Sequence, residues 1–194
     1  RDERSRYLLV ENRKVENYVD MALYYARMDA VYKDYMIAET NLQEVAQQVL
    51  LQNKYYLIQS HVKAEVACPD TVYSDKKWIA FILNQLIQNS VKYGRSEGTH
   101  IQIVTKKTKS GVLLRVKDDG IGIPKEEIPR IFEKGFTGTN GRNRERSTGM
   151  GLYLCRKLCD KLNIEIRAES AEGKGTEIIL MFPVSDYLTG YRET

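Results

Sequence analysis

The chain has 194 residues, enough for one domain of ordinary size plus an appended element, and a domain near 150 residues buries about 68–70% of its unfolded surface. Hydrophobic residues make up 42% and charged residues 29%, with no Pro-, Ser- or Gly-rich run, which excludes a disordered linker. Lys and Arg number 30 against 26 Asp and Glu, and this dispersed balance of +4 argues against a nucleic-acid partner, while no apolar run approaches the roughly 18 residues of a membrane-spanning helix.

From Glu3 to Met36 there is no Pro or Gly, and Leu8, Val15, Tyr18, Val19, Ala22, Leu23, Tyr25 and Ala26 recur at helical spacing, which predicts one long amphipathic helix. Its tyrosines at 7, 18, 24, 25, 32 and 35 exceed what an isolated solvated helix carries. They pack either on a partner helix or on the chain's own domain. The start Arg1-Asp2-Glu3-Arg4 does not read as a signal peptide.

Thr40 or Asn41 is placed to cap a helix from Leu42 to about Gln52, and Asp75 to cap another from Lys76 to Tyr93, ended by Gly94. Between them His61 to Ala67 alternates like a strand. Thr99 to Thr108 and Val112 to Lys117 predict a hairpin around Lys109-Ser110-Gly111, burying Ile101, Ile103, Leu113 and Val116. A Gly-, Asn- and Arg-rich loop runs from Gly135 to Thr148. A helix from Met150 to Leu162, a strand from Ile164 to Glu169, a Gly173-Lys174-Gly175 turn and a strand from Thr176 to Phe182 complete an α/β sandwich, a mixed sheet with helices on one face. His61 and His100 fall at strand starts as structural residues. Cys68, Cys155 and Cys159 cannot pair completely and lack metal-site spacing, and Cys155 and Cys159, on one helix face, read as small buried apolar residues.

Three segments carry chemistry. Asp118-Asp119-Gly120-Ile121-Gly122-Ile123-Pro124 follows a strand, so its glycines let the backbone turn and approach a ligand beside a strand-end carboxylate. Such a carboxylate suits an amino-group donor such as adenine N6, although the same pattern also makes an ordinary turn. Ser147-Thr148-Gly149-Met150-Gly151-Leu152 leads from a loop into a helix, whose free first-turn amides attract phosphate, although the same residues also make a plain glycine helix start. Asn89 and Lys92 share a helix face with Gln85 one turn earlier and Tyr93 beside them. An Asn amide oxygen suits Mg²⁺, which takes few protein oxygens, and a Lys supplies a point charge to phosphate, although the pair also makes an ordinary helix C-terminus with an exposed Asn and a Lys against the dipole.

In this order the motifs resemble the Bergerat-type ATP-binding fold shared by histidine kinases, DNA gyrase B, Hsp90 and MutL. Gln85-Leu86-Ile87-Gln88-Asn89-Ser90-Val91-Lys92-Tyr93 is similar to the kinase N box, and Arg130-Ile131-Phe132-Glu133-Lys134-Gly135-Phe136 to the F box. Gly149-Met150-Gly151-Leu152 and Gly173-Lys174-Gly175-Thr176 are similar to the second and third glycine boxes. The resemblance covers residues 38–184. The run from Phe132 to Arg142, with Tyr24-Tyr25-Ala26-Arg27, looks like the intramembrane-sensing kinases that partner peptide-antibiotic exporters in Firmicutes.

The resemblance implies a catalytic ATP-binding domain of a sensor histidine kinase, using ATP and Mg²⁺. Asn89 would hold Mg²⁺, with Gln85 as a second candidate, Lys92 the phosphates, Tyr93 the ribose or adenine face, and Asp118 the adenine amino group. Gly120, Gly122, Ile123, Phe132, Lys134, Phe136, Thr148, Gly149, Met150, Gly151, Leu152 and Thr176 complete the expected ATP-binding set. Residues 135–148 would form a lid over the nucleotide, with its arginines at 142, 144 and 146 read as solvated. Residues 1–37 would be the second helix of a dimerisation hairpin and 185–194 a tail. Neither Ser60-His61-Val62 nor Thr99-His100-Ile101 resembles the phosphoacceptor box, so the acceptor His is expected on a segment outside this chain. Expected partners are a second copy in the full-length protein, a response regulator and an antibiotic-peptide exporter, with this part cytoplasmic and the whole protein membrane-anchored.

Two other readings accompany this one. Hydrolytic relatives carry a Glu base where this chain has Gln85, and an amide cannot take a proton from water, which disfavours an ATP hydrolase. A nucleotide-binding module without catalysis is disfavoured by the intact motifs, and an anti-sigma-factor serine kinase of the same fold by the long N-terminal helix.

Overall fold

The computed structural model of the protein describes residues 35–139 and 148–184, with isolated positions between 5 and 26. Those isolated positions are helical, and Leu8, Val15, Tyr18, Val19 and Leu23 among them are exposed while Met21 is buried. The expected tyrosines at 7, 24, 25 and 32, the lid arginines and the 185–194 tail lie outside the described residues.

A short strand β1 (Ala38–Asn41) enters helix α1 (Leu42–Gln52), and of the two expected caps it is Asn41 whose side chain accepts the Glu44 amide. Helix α2 (Lys54–Gln59), strand β2 (Val62–Ala67) and strand β3 (Thr71–Ser74) follow. Helix α3 (Lys76–Lys92) is capped by Asp75, one oxygen accepting the amides of Lys77 and Trp78 and the other that of Met36. Strands β4 (Thr99–Thr108) and β5 (Gly111–Asp118) form the hairpin; a 3₁₀ turn (Ile128–Arg130), helix α4 (Gly151–Lys161), strand β6 (Glu165–Ser170) and strand β7 (Thr176–Pro183) complete the order.

The main sheet runs β2-β4-β5-β7-β6, parallel only between β2 and β4 and antiparallel elsewhere. Alternating burial along β2, β4 and β6 leaves one face of this sheet against the helices. Ile79, Ile82, Leu83, Leu86 and Ile87, at three- and four-residue intervals along α3, are buried into one core with Ile101, Ile103, Leu114, Val116 and Leu180 of the sheet. Leu114, not the expected Leu113, faces this core, because it shares strand parity with Val116 and Asp118 whereas Leu113 points to the opposite, partly covered face. The separate two-stranded sheet of β1 and β3 was not expected; each strand is four residues long, too short to show periodicity. Tyr35 tilts against Trp78 at the start of α3, with ring centroids 6.0 Å apart.

Candidate functional site

The site forms where the end of β5 meets the last two turns of α3. Leu86, Asn89, Ser90 and Tyr93 fall at helical intervals and face one cavity, opposite Asp118. Val116, Ile123, Ile131, Phe136, Leu152 and Ile178 give it apolar walls, and Gly122, Glu127, Thr137, Gly138 and Thr176 complete them. The space, counted out to its open mouth and so including solvent, is about 760 Å³.

Asp118 is its chemical centre. Only 8% exposed, it accepts three hydrogen bonds: from the Ser90 hydroxyl at 2.7 Å, the Gly120 amide at 3.0 Å and the Thr176 amide at 3.1 Å. Burial pushes its carboxyl above the ordinary range, while those donors oppose the shift without cancelling it. A carboxylate so held at the base of an apolar slot is an acceptor aimed at a planar ligand bearing an amino group.

The glycine loop is stitched to its surroundings. The Ile121 amide donates to the Tyr93 carbonyl, its own carbonyl accepts the Gly173 amide, and the Ile123 amide donates to Ser170 Oγ. Ser170 in turn donates to the Gly175 carbonyl and lies 3.0 Å from Thr176 Oγ1. Gly122 has a φ of 71° and its missing side chain would meet the Ala171 carbonyl oxygen at 2.0 Å, so only glycine fits this crossing of the two loops.

Of the residues expected from sequence, Asn89, Tyr93, Asp118, Gly122, Ile123, Phe136, Leu152 and Thr176 line the cavity. Lys92, Gly120, Phe132, Lys134, Thr148, Gly149, Met150 and Gly151 do not line it, although Gly149 closes the loop base by accepting the Gly135 amide. Gln85 is 5% exposed, does not line the cavity, and lies beside Gly151, where a methyl group would come within 3.0 Å of its amide oxygen. Its amide nitrogen is buried without a hydrogen-bond partner among the described residues. Leu86, Ser90, Val116, Glu127, Ile131 and Ile178 line the cavity without having been expected as site residues, and Thr137 and Gly138 line it from the start of the expected lid.

The residues present fit a nucleotide: an apolar slot for a base, one buried acceptor carboxylate, and at the start of α4 a helix end that no side chain caps. No cluster of three metal-ligating side chains occurs among the described residues, and the Asn89 amide lines the cavity together with the carboxylates of Asp118 and Glu127. No described helix is long and apolar enough to cross a membrane.

Comparison with known proteins agrees with this geometry. Residues 74–186 match the family described as histidine kinase-, DNA gyrase B- and HSP90-like ATPase. Sensor histidine kinase YxdK of Bacillus subtilis is 34% identical over 174 residues, covering 89% of this chain and 54% of that protein. Sensor protein kinase GraS of Staphylococcus aureus is 36% identical over 189 residues, covering 95% and 53%. The chain thus spans about half the length of the curated relatives it matches. The solved catalytic domain of histidine kinase ThkA superposes with a TM-score of 0.66 at 26% identity, over 76% of this chain and 97% of that one. ThkA has also been solved in complex with the response regulator protein TrrA, and there the likeness, at 23% identity and a TM-score of 0.68 over 93% of this chain and 50% of that one, is of fold. The chain belongs to the histidine kinase-, DNA gyrase B- and HSP90-like ATPase family.

Proposed function

We propose that this chain is the ATP-binding catalytic part of a sensor histidine kinase, holding ATP with Mg²⁺ in the cavity between α3 and β5 for phosphoryl transfer to a histidine outside the chain. The observation that carries the reading is Asp118, buried at the base of the apolar slot with Ser90, Gly120 and Thr176 fixing its oxygens. When bound, ATP supplies the transferable phosphoryl group. Asp118 would accept from the adenine amino group, Tyr93 would meet the ribose or adenine face, Ile123 would line the slot for the base, and Asn89 would offer its amide oxygen to Mg²⁺. Lys92, one helical turn beyond Asn89 and outside the cavity lining, would reach toward the phosphates to offset their charge. Gln85, at the position where hydrolytic relatives carry a Glu base, is an amide buried against Gly151 and cannot take a proton from water. Catalysis would therefore come from orientation and electrostatics.

By the same reading, residues 1–37 contribute a helix of a dimerisation hairpin, which accounts for the exposed Leu8, Val15, Tyr18, Val19 and Leu23. The full-length protein would be a membrane-anchored homodimer with this part cytoplasmic, acting on a response regulator and coupled to a peptide-antibiotic exporter.

Calorimetric titration of the chain with ATP, with and without Mg²⁺, tests the proposal. Saturable binding that Mg²⁺ strengthens is expected; a folded chain with no heat of binding would overturn it.

A further inference from the structure

We propose that Glu127 is a positioning residue for the nucleotide, whose carboxylate fixes residues 137–139 as one wall of the cavity and thereby sets how fast ligand enters and leaves. This rests on reading the cavity as the nucleotide site. Glu127 lies on the turn that follows the glycine loop, its amide donating to the Pro124 carbonyl at 2.9 Å, and it lines the cavity together with Thr137 and Gly138. Its Oε1 accepts both the Thr139 amide, at 2.8 Å, and the Thr139 hydroxyl, at 2.5 Å. Two donors of one residue converging on one carboxyl oxygen fix orientation as well as distance.

Gly138 shows how close this approach is. Its φ is 62°, and a side chain there would meet Glu127 Oε2 at 2.5 Å, so glycine lets the segment turn onto the carboxylate. The same turn holds the preceding residues: the Arg130 guanidinium lies 4.7 Å over the Phe136 ring, and the Phe136 amide donates to the Glu133 carbonyl. The wall is thus tied at Phe136 by packing and at Thr139 by Glu127. The Thr139 tie is exposed and therefore the weaker of the two, the one that can open without disturbing the core. Glu127 needs no contact with the ligand to act in this way; breaking its bonds frees the wall and leaves Asp118 and Asn89 untouched.

Stopped-flow binding of N-methylanthraniloyl-ATP with Mg²⁺ tests this on the wild type and on Glu127→Ala, Thr139→Val, Glu127→Gln and Thr139→Ser. Association and dissociation in Glu127→Ala and Thr139→Val should both quicken by about three- to tenfold, the weight of an exposed hydrogen bond, with Kd moving less than about threefold. Glu127→Gln and Thr139→Ser keep an acceptor and a hydroxyl, and their rates should stay within about twofold of wild type. A merely structural role would lower thermal stability without this paired change in rates. Wild-type rates in both Glu127→Ala and Thr139→Val overturn the proposal, as does a large loss of affinity with unchanged association, which would make Glu127 a ligand contact. Wild type that fails to bind the probe removes the nucleotide reading itself, an outcome distinct from binding with unaltered rates.

Discussion

Ser90 and Asp118 stand 28 residues apart in sequence, yet the Ser90 hydroxyl donates to the Asp118 carboxylate at 2.7 Å across the base of the cavity. The bond ties the last turn of α3 to the end of β5, so the helix carrying Asn89 and the strand carrying Asp118 keep one relative placement. Ser90→Ala removes a donor to a charged group, worth about 1.5–3 kcal/mol when both partners are buried. ATP affinity is expected to fall by about tenfold at neutral pH, measured by calorimetry. Unchanged affinity would mean that the two backbone amides suffice to hold the carboxylate.

Replacing the carboxylate itself is a sharper test. Asp118→Asn retains the shape but presents an amide NH₂ on one side, and its single oxygen is claimed by the Gly120 and Thr176 amides. The amino group of adenine then loses its acceptor. A loss of at least about 1.4 kcal/mol, tenfold or more in Kd, is expected, with the circular dichroism of the folded chain retained. Asn89→Ala, in contrast, should remove most of the Mg²⁺ dependence while sparing much of the Mg²⁺-free affinity.

Much of this site was legible before the structure because its residues sit at element ends that sequence marks well. Asp118 and Gly122 follow a strand end and Asn89 and Tyr93 a helical spacing, and these line the cavity, whereas Gly120, Gly149 and Gly151, expected with them, do not. Ser90 was not legible as a partner of Asp118, since its role depends on how α3 lies over β5 and a helical serine has no distinguishing local pattern. Glu127 lies in a segment without periodicity, where only the path of the chain brings its side chain to the cavity. The β1 and β3 strands escaped for a related reason: four residues each, they are made by pairing with one another and not by their own alternation.

Protonation gives a prediction with a definite sign. Burial raises the Asp118 carboxyl in the folded chain above its unfolded value, so the native state binds more protons than the unfolded state in the window just above the unfolded pKa of about 4. This group's contribution to stability is present below that value and is lost as pH rises through the folded pKa. Asp118→Asn lacks the cost of a buried charge, so its melting temperature at pH 7 should equal or exceed that of wild type, the difference narrowing toward pH 4. ATP binding runs the opposite way in wild type and weakens as acidification removes the acceptor. A melting temperature that drops in Asp118→Asn at pH 7 would show that the lost hydrogen bonds outweigh relief of the buried charge.

Stability away from the site should separate from binding. Ile79 is fully buried near the start of α3, more than two turns before Asn89. Ile79→Ala is expected to cost about 2–5 kcal/mol through lost burial and the cavity it leaves. For a chain of this length that corresponds to a fall of about 5–15 °C in melting temperature. The Kd for ATP below the transition should stay within about twofold of wild type. A large change in Kd would mean that the α3 start and the nucleotide cavity are mechanically coupled.

The cysteines supply a test that needs no ligand. Cys155 and Cys159 share one face of α4 in the core, and Cys68 lies at the end of β2 with its thiol 3.2 Å from the Ile103 carbonyl. Burial pushes the Cys159 thiol up to about 12 and the Cys68 thiol up to about 11, and holds Cys155 well above its usual value. Because the thiolate is the reactive form, all three should resist an aromatic disulfide reagent at pH 8 in the native chain and react together on unfolding in guanidinium. The labelling rate of the native chain then reports opening of the core, and Ile79→Ala should raise it in proportion to the lost stability when opening is global. Rapid labelling of one cysteine in the native wild type would place that thiol at a locally opening edge of the domain, contrary to its position here.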